Sequence, residues 1–129
     1  MASDPTSILV VEDHAEVAES VREILEEEGY HVEVAGDGER ALEIFPKLHP
    51  CLVLLDMRLP KIAGKELLLR LREADADSPI VAVTASPEVP GDVSAVLRKP
   101  FDVKDLLAVA RRFCGAPQAP ALASGDGTG

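Results

Sequence analysis

Positive charge is scarce in this chain: across 129 residues, 13 Lys and Arg stand against 23 Asp and Glu, a net charge of −10. Gripping the phosphate backbone of a nucleic acid needs a basic patch. Direct nucleic-acid binding is therefore not expected, and any effect on DNA would pass through another protein. Long apolar runs are also missing. No stretch approaches the roughly 18 to 20 apolar residues of a membrane-spanning helix, and residues 1–7 have neither the charged start nor the apolar centre of a secretory signal. The expectation is a cytoplasmic protein without membrane insertion. Cysteine is limited to Cys51 and Cys114, far apart and without CxxC or histidine spacing. They read as reduced core thiols and not as a redox or metal pair. No internal repeat stands out.

What is present is ordinary for one soluble domain: 47% apolar and 28% charged residues. Residues 1–7 are expected to be a flexible start, 8–114 the folded domain and 115–129 a disordered tail or linker stub rich in Ala, Pro, Gly and Ser. Apolar strand runs alternate with helical periods. Ile8–Val11 is followed by a helix with Val17, Val21, Ile24 and Leu25 on one face, closed by Gly29. The run Glu26–Glu28 reads as a solvated face. His31–Ala35 alternates like an edge strand. Glu39–Leu48 turns Ala41, Leu42 and Phe45 inward, and Pro46 should end or kink that helix. Cys51–Leu55 is apolar throughout, as a strand covered on both faces must be. A helix after Gly64 points Leu67, Leu68 and Leu71 inward and Lys65, Arg70 and Arg72 outward. Ile80–Val83 leads to Thr84, and the alternation to this point implies parallel βαβ units.

Then the pattern breaks. Only nine positions, residues 85–93, separate Thr84 from the next strand run at Ser94–Leu97, and they include Pro87, Pro90 and Gly91. A mean helix needs about 11 to 12 residues, so at most one turn fits. A last helix, capped by Asp102, shows Val103, Leu106, Leu107, Ala110 and Phe113 on one face.

The carboxyl ends of the strands carry the chemistry, since ligands in open α/β sheets collect there. Asp56 ends the most apolar strand, Glu12 and Asp13 end the first, Thr84 the fourth, and Lys99 follows the fifth. Two carboxylate charges about 4 Å apart repel by about 4 kcal/mol at an effective dielectric of about 20. Such a cluster needs a cation or a proton. We read it as a Mg²⁺ site formed by Glu12, Asp13, Asp56 and the backbone carbonyl of Arg58, beside a nucleophilic Asp56. Lys99 would pair with Asp56 and then with a phosphoryl oxygen, and Thr84 would donate to another. His14 reads as a surface residue, and His31 and His49 lack ligand partners at metal spacing.

Together, Val11-Glu12-Asp13, Leu54-Leu55-Asp56-Met57-Arg58-Leu59-Pro60 with Gly64 following, Val83-Thr84-Ala85 and Lys99-Pro100-Phe101 resemble the receiver domain of two-component response regulators, from Ile8 to about Phe113. The resemblance implies a three-layer, flavodoxin-like α/β fold with a five-stranded parallel sheet in order 2-1-3-4-5. It implies phosphotransfer to Asp56 from a sensor histidine kinase or a histidine phosphotransfer protein, Mg²⁺ dependence, slow hydrolysis of the acyl phosphate without other enzymatic activity, and a cis Lys99–Pro100 bond. A downstream protein partner would read the signal. This chain departs from the family where the helix between the fourth and fifth strands is shortened or missing. It also has Val96 where the family commonly carries an aromatic, and Arg58 and Ser86 at positions that affect the phosphoryl lifetime. The usual readout surface therefore looks rebuilt, and signalling is expected through another face such as the first helix, or by passing the phosphoryl group onward.

Other readings fit less well. Phosphatases of the haloacid dehalogenase group want a second Asp two residues after the first, where this chain has Arg58. A nucleotide or flavin binder would need a Gly-rich or hydroxyl-rich loop after the first strand, and Glu12-Asp13-His14-Ala15-Glu16 repels phosphate. The alternative that remains is a degenerate receiver acting as a phosphorylation-independent interaction module.

Overall fold

The apolar runs become strands and the helical periods become helices, in the order β1 (Asp4–Val11), α1 (Ala15–Glu27), β2 (His31–Ala35), α2 (Gly38–Leu48), β3 (Pro50–Asp56), α3 (Gly64–Ala74), β4 (Ile80–Thr84), β5 (Ala95–Arg98) and α4 (Val103–Cys114). This computed structural model describes residues 4–59, 61–88 and 91–117. The expected tail lies almost wholly outside them. All five strands are parallel, in the expected order β2-β1-β3-β4-β5.

β3 lies at the centre and every one of its residues is buried. Because side chains alternate across a strand, its two faces feed two cores. Leu52 and Leu54 pack with Val21 and Leu25 of α1 and with Leu106 and Ala110 of α4. Val53 and Leu55 pack with Ala41 and Phe45 of α2 and with Leu67 and Leu71 of α3. Each such leucine contributes about 1.5 to 3 kcal/mol by leaving water. The result is a three-layer sandwich, and the strand ends are held rigidly by it.

Local chemistry sets the helix limits. Gly29 takes φ 104° just beyond α1, a backbone that side-chain-bearing residues rarely adopt. Asp37 caps α2 by accepting from the Arg40 amide at 2.9 Å. Pro46 lies within that helix, which runs only two residues further, to Leu48. Asp102 and Asp105 form a reciprocal capping box at the start of α4.

Several expectations are corrected. β1 begins four residues before Ile8, and Ser7, expected in a frayed start, pairs with His31 and is buried. Val17 and Val103, expected on inner helix faces, are exposed; both lie in the first turns of their helices, and Ala18, Val21 and Leu106 do the packing. Arg72, expected outward, is a clamp. Its guanidinium donates to the carbonyls of Asp92, Ala76 and Ser78 and to Ser94 Oγ. Ser94 Oγ in turn accepts from the Ile80 amide at 3.1 Å.

That clamp replaces packing where the chain is short. Between β4 and β5 no helix is found among the described residues. Arg72 holds the far end of this connection, and Arg98 holds the near end by donating to the Pro87 carbonyl at 3.0 Å.

The largest correction concerns the cysteines. Cys51 and Cys114 are joined by a disulfide across 63 positions, with their Cα atoms 5.4 Å apart. In a sheet whose helices run antiparallel to the strands, the end of a helix returns to where a strand begins. Cys114 closes α4 and Cys51 opens β3, so the topology brings together two residues whose spacing carries no pairing signal.

Candidate functional site

Asp56 is the last residue of β3 and only 3% exposed. Its Oδ1 accepts from the Arg58 amide at 3.0 Å and lies 3.5 Å from Lys99 Nζ. Lys99 follows β5 directly, across a cis bond from Pro100, and its amide donates to the Thr84 carbonyl at 2.9 Å. The ends of β3, β4 and β5 are thus stitched at one point. The Thr84 hydroxyl oxygen accepts from the Ser86 amide at 3.0 Å, which fixes the oxygen and leaves its proton free to be donated.

Glu12, just beyond β1, donates its amide to the Ala35 carbonyl and is 6% exposed. Burial pushes its carboxyl above the usual value, the His14 amide bond opposes this, and the nearby Asp56 charge reinforces it. The charge of Asp56 is therefore felt at Glu12 as the opening repulsion argument requires. Asp13 and His14 are more exposed. One ligand atom from each of Glu12, Asp13 and His14 lies within 4.8 Å of the others, a grouping that can hold a metal ion.

His14 is at the surface, as expected, and also contacts Glu12. Its amide donates to Glu12 Oε2 at 3.1 Å and its Nδ1 lies 3.3 Å from the same oxygen. Its position directly after an acidic pair at a strand end was the available signal for that contact. Arg58 enters the site through its amide.

Gly64 explains the tight exit from the site. A Cβ on it would lie 2.6 Å from the Met57 Cα and 2.7 Å from the Met57 carbonyl oxygen. Only glycine lets α3 start so close to the residue after Asp56. Beside Thr84 a cleft of about 270 Å³ opens, lined by Met57, Gly64, Lys65, Ser86 and Glu88.

Known proteins resemble this chain in sequence and fold. The transcriptional regulatory protein DltR of Streptococcus agalactiae is 39% identical over 109 residues, which cover 78% of this chain and 48% of DltR. The chain spans about half the length of the curated relatives it matches. The chemotaxis protein CheY4 of Vibrio cholerae superimposes with a TM-score of 0.78 at 25% identity, covering 88% of this chain and 99% of CheY4. The response regulator TrrA of Thermotoga maritima, solved in complex with Mg²⁺ and BeF, gives a TM-score of 0.76 at 31% identity over 84% of this chain and 98% of TrrA. Residues 8–111 match the response regulator receiver domain, a two-component signalling module, and the chain belongs to that family.

Proposed function

We propose that the chain accepts a phosphoryl group on Asp56 from the phosphohistidine of a sensor histidine kinase or histidine phosphotransfer protein, with Mg²⁺, and relays a two-component signal to a downstream protein. The observation that carries this reading is the ammonium of Lys99 standing 3.5 Å from a carboxylate that is almost wholly buried. A carboxylate buried at the junction of three strands is a weak contributor to stability even when paired, since apolar residues would serve as well, which favours a chemical role for it.

The donor set fits a divalent cation. The buried carboxylates of Glu12 and Asp56 act on each other and on the ammonium of Lys99, with Asp13 next to Glu12, and burial together with the Asp56 charge raises the Glu12 carboxyl. Glu12, Asp13, Asp56 and the Arg58 carbonyl would hold Mg²⁺, a hard ion suited to oxygen ligands. Bound there, it supplies neutralising charge for the incoming phosphoryl group.

The chain's own groups do the rest. The Arg58 amide holds one Asp56 oxygen, which aims the other at phosphorus. As the new oxygen–phosphorus bond forms, the phosphorus–nitrogen bond breaks and its electron pair returns to the imidazole. Lys99 moves from the carboxylate to a phosphoryl oxygen, and Thr84 donates its free hydroxyl proton to another. Hydrolysis of the acyl phosphate resets the site, so the chain is an acceptor with slow self-dephosphorylation. Cytoplasmic location follows from a kinase donor. With a charge of −10, the chain itself is not suited to direct nucleic-acid contact.

One observation favours a second reading, a phosphorylation-independent interaction module. Among the described residues no helix joins β4 to β5, and the half-buried Val96 offers no rotating ring to report a Thr84 movement. Incubation with acetyl phosphate and Mg²⁺, followed by intact mass, separates the two. A labile single-phosphoryl adduct that disappears in Asp56→Asn is expected. No adduct on the unaltered chain, with partner binding unchanged in Asp56→Asn, would establish the module instead.

A further inference from the structure

We propose that Cys51 and Cys114 form a thiol–disulfide exchange site that takes low-molecular-weight thiols of the glutathione class and sets how firmly the end of α4 is fastened to the sheet. The proposal does not depend on phosphate acceptance, because Cys51 opens β3 and Asp56 closes it.

Both redox states have a place prepared for them. In the oxidised state the bridge spans 5.4 Å between Cα atoms, within the usual disulfide range. In the reduced state Cys51 has an acceptor already in position, since its sulfur lies 3.2 Å from the Ser7 carbonyl oxygen. A disulfide sulfur has no proton to donate, so that approach becomes a hydrogen bond only when the bridge opens. A buried thiol elsewhere would be left without a partner.

The two sulfurs differ in access. Cys51 is 8% exposed, whereas Cys114, on the last residue of α4, is half-buried. An incoming thiolate attacks the Cys114 sulfur, the Cys51–Cys114 bond breaks, and Cys51 departs as a thiolate that takes a proton and turns it toward Ser7. A second small thiolate attacks the outer sulfur of the mixed disulfide and releases Cys114 as a thiolate, which is protonated in turn. The two small thiols leave as their disulfide, carrying away the two-electron oxidation. Closure runs the same steps backward with the small disulfide as oxidant.

Opening leaves the fold standing. Tyr30 still donates to the Gly115 carbonyl at 2.6 Å, Arg111 still pairs with Glu28 at 3.2 Å, and Leu106 and Ala110 remain buried against β3. The change is confined to the last turn of α4.

The test equilibrates the full chain, without denaturant, in mixtures of reduced and oxidised glutathione, quenches with iodoacetamide and counts alkylated cysteines by intact mass. Two alkylated cysteines in reducing mixtures and none in oxidising ones are expected, with faster amide exchange at residues 111–115 and unchanged exchange around Asp56 on reduction. The Cys51→Ser variant should take one glutathione on Cys114, and Cys114→Ser should leave Cys51 unmodified under the same conditions. Alkylation that requires denaturant would overturn the proposal by showing a static brace. Two thiols surviving every oxidising mixture would overturn it by showing no bridge. Should Cys51→Ser not fold, an adduct on Cys51 in Cys114→Ser would still contradict the assigned order of access.

Discussion

The two ends of β3 are tied to the two flanks of α4 by opposite means. At the carboxyl end, Asp56 meets Lys99, four residues before α4 begins, through a charge pair at 3.5 Å. At the other end, Cys51 meets Cys114, the last residue of α4, through a covalent bond. At the end of α4 further ties join the bridge, with Tyr30 on Gly115 and Arg111 on Glu28. Around Asp56 charge is left unbalanced, with Glu12 and Asp56 both within reach of one ammonium. The same strand thus has a closed end fastened by a covalent bond and an open end that invites a cation or a phosphoryl group. Covalent fastening and charge imbalance are separated by the length of one strand.

Breaking the closed end should cost most. Under the chain-entropy account, a bridge across 63 positions stabilises by about 4 kcal/mol. We expect Cys114→Ser to lower the urea midpoint by that order without loss of the parallel sheet in circular dichroism. A shift under about 1 kcal/mol would mean that hydrogen bonds and packing alone fasten α4, and the contrast between the ends would fail.

The open end should respond less, and in a way that ions alter. Lys99→Ala strands a buried carboxylate next to Glu12, a cost of about 1 to 3 kcal/mol. Because the loss is one of positive charge, millimolar Mg²⁺ should raise the urea midpoint of Lys99→Ala by more than that of the unaltered chain. Equal shifts, or the same magnesium response in Cys114→Ser as in Lys99→Ala, would erase the distinction between a charge deficit and a missing brace.

How far these ends were legible in the residues follows the same division. Asp56, Lys99, Thr84 and the acidic pair end or follow apolar runs, so strand direction alone sends them to one edge; the parallel strands were readable from the alternation of elements and the shortened or missing helix after Thr84 from the nine-residue gap and its prolines, whereas the strand order came from the family resemblance. The roles of these side chains toward Mg²⁺ and phosphate remain the proposal made above. The closed end was not legible. Pairing Cys51 with Cys114 requires knowing that α4 returns along β3, a tertiary fact that no local spacing encodes. Arg72 was misread for a related reason. Helical periodicity assigns it to the solvent face, and only the short β4–β5 connection brings the carbonyls of Ser78 and Asp92 within its reach. Val17 follows the helical period but lies in the first turn of α1, where it is exposed and period alone does not decide burial.

The smallest effect expected at the closed end belongs to Tyr30. Its hydroxyl donates to the Gly115 carbonyl at 2.6 Å, and removing it in Tyr30→Phe should cost about 1 kcal/mol. Burial raises its ionisation above the usual value of 10.0, with Arg111 opposing and Glu28 reinforcing the shift. A group whose value is raised on folding contributes stability that is complete below its unfolded value and disappears as pH climbs through the folded one. The unaltered chain should therefore lose stability above about pH 10 by a step that Tyr30→Phe lacks. The comparison is best made in the Cys114→Ser background, where alkaline thiol–disulfide exchange cannot contribute. There the phenol and the Arg111–Glu28 pair are the polar ties left at the end of α4, and the step should grow if the disulfide had been sharing their load. An alkaline step of the same size with and without Tyr30 would assign it to other groups and remove the hydroxyl from the closed end's fastening.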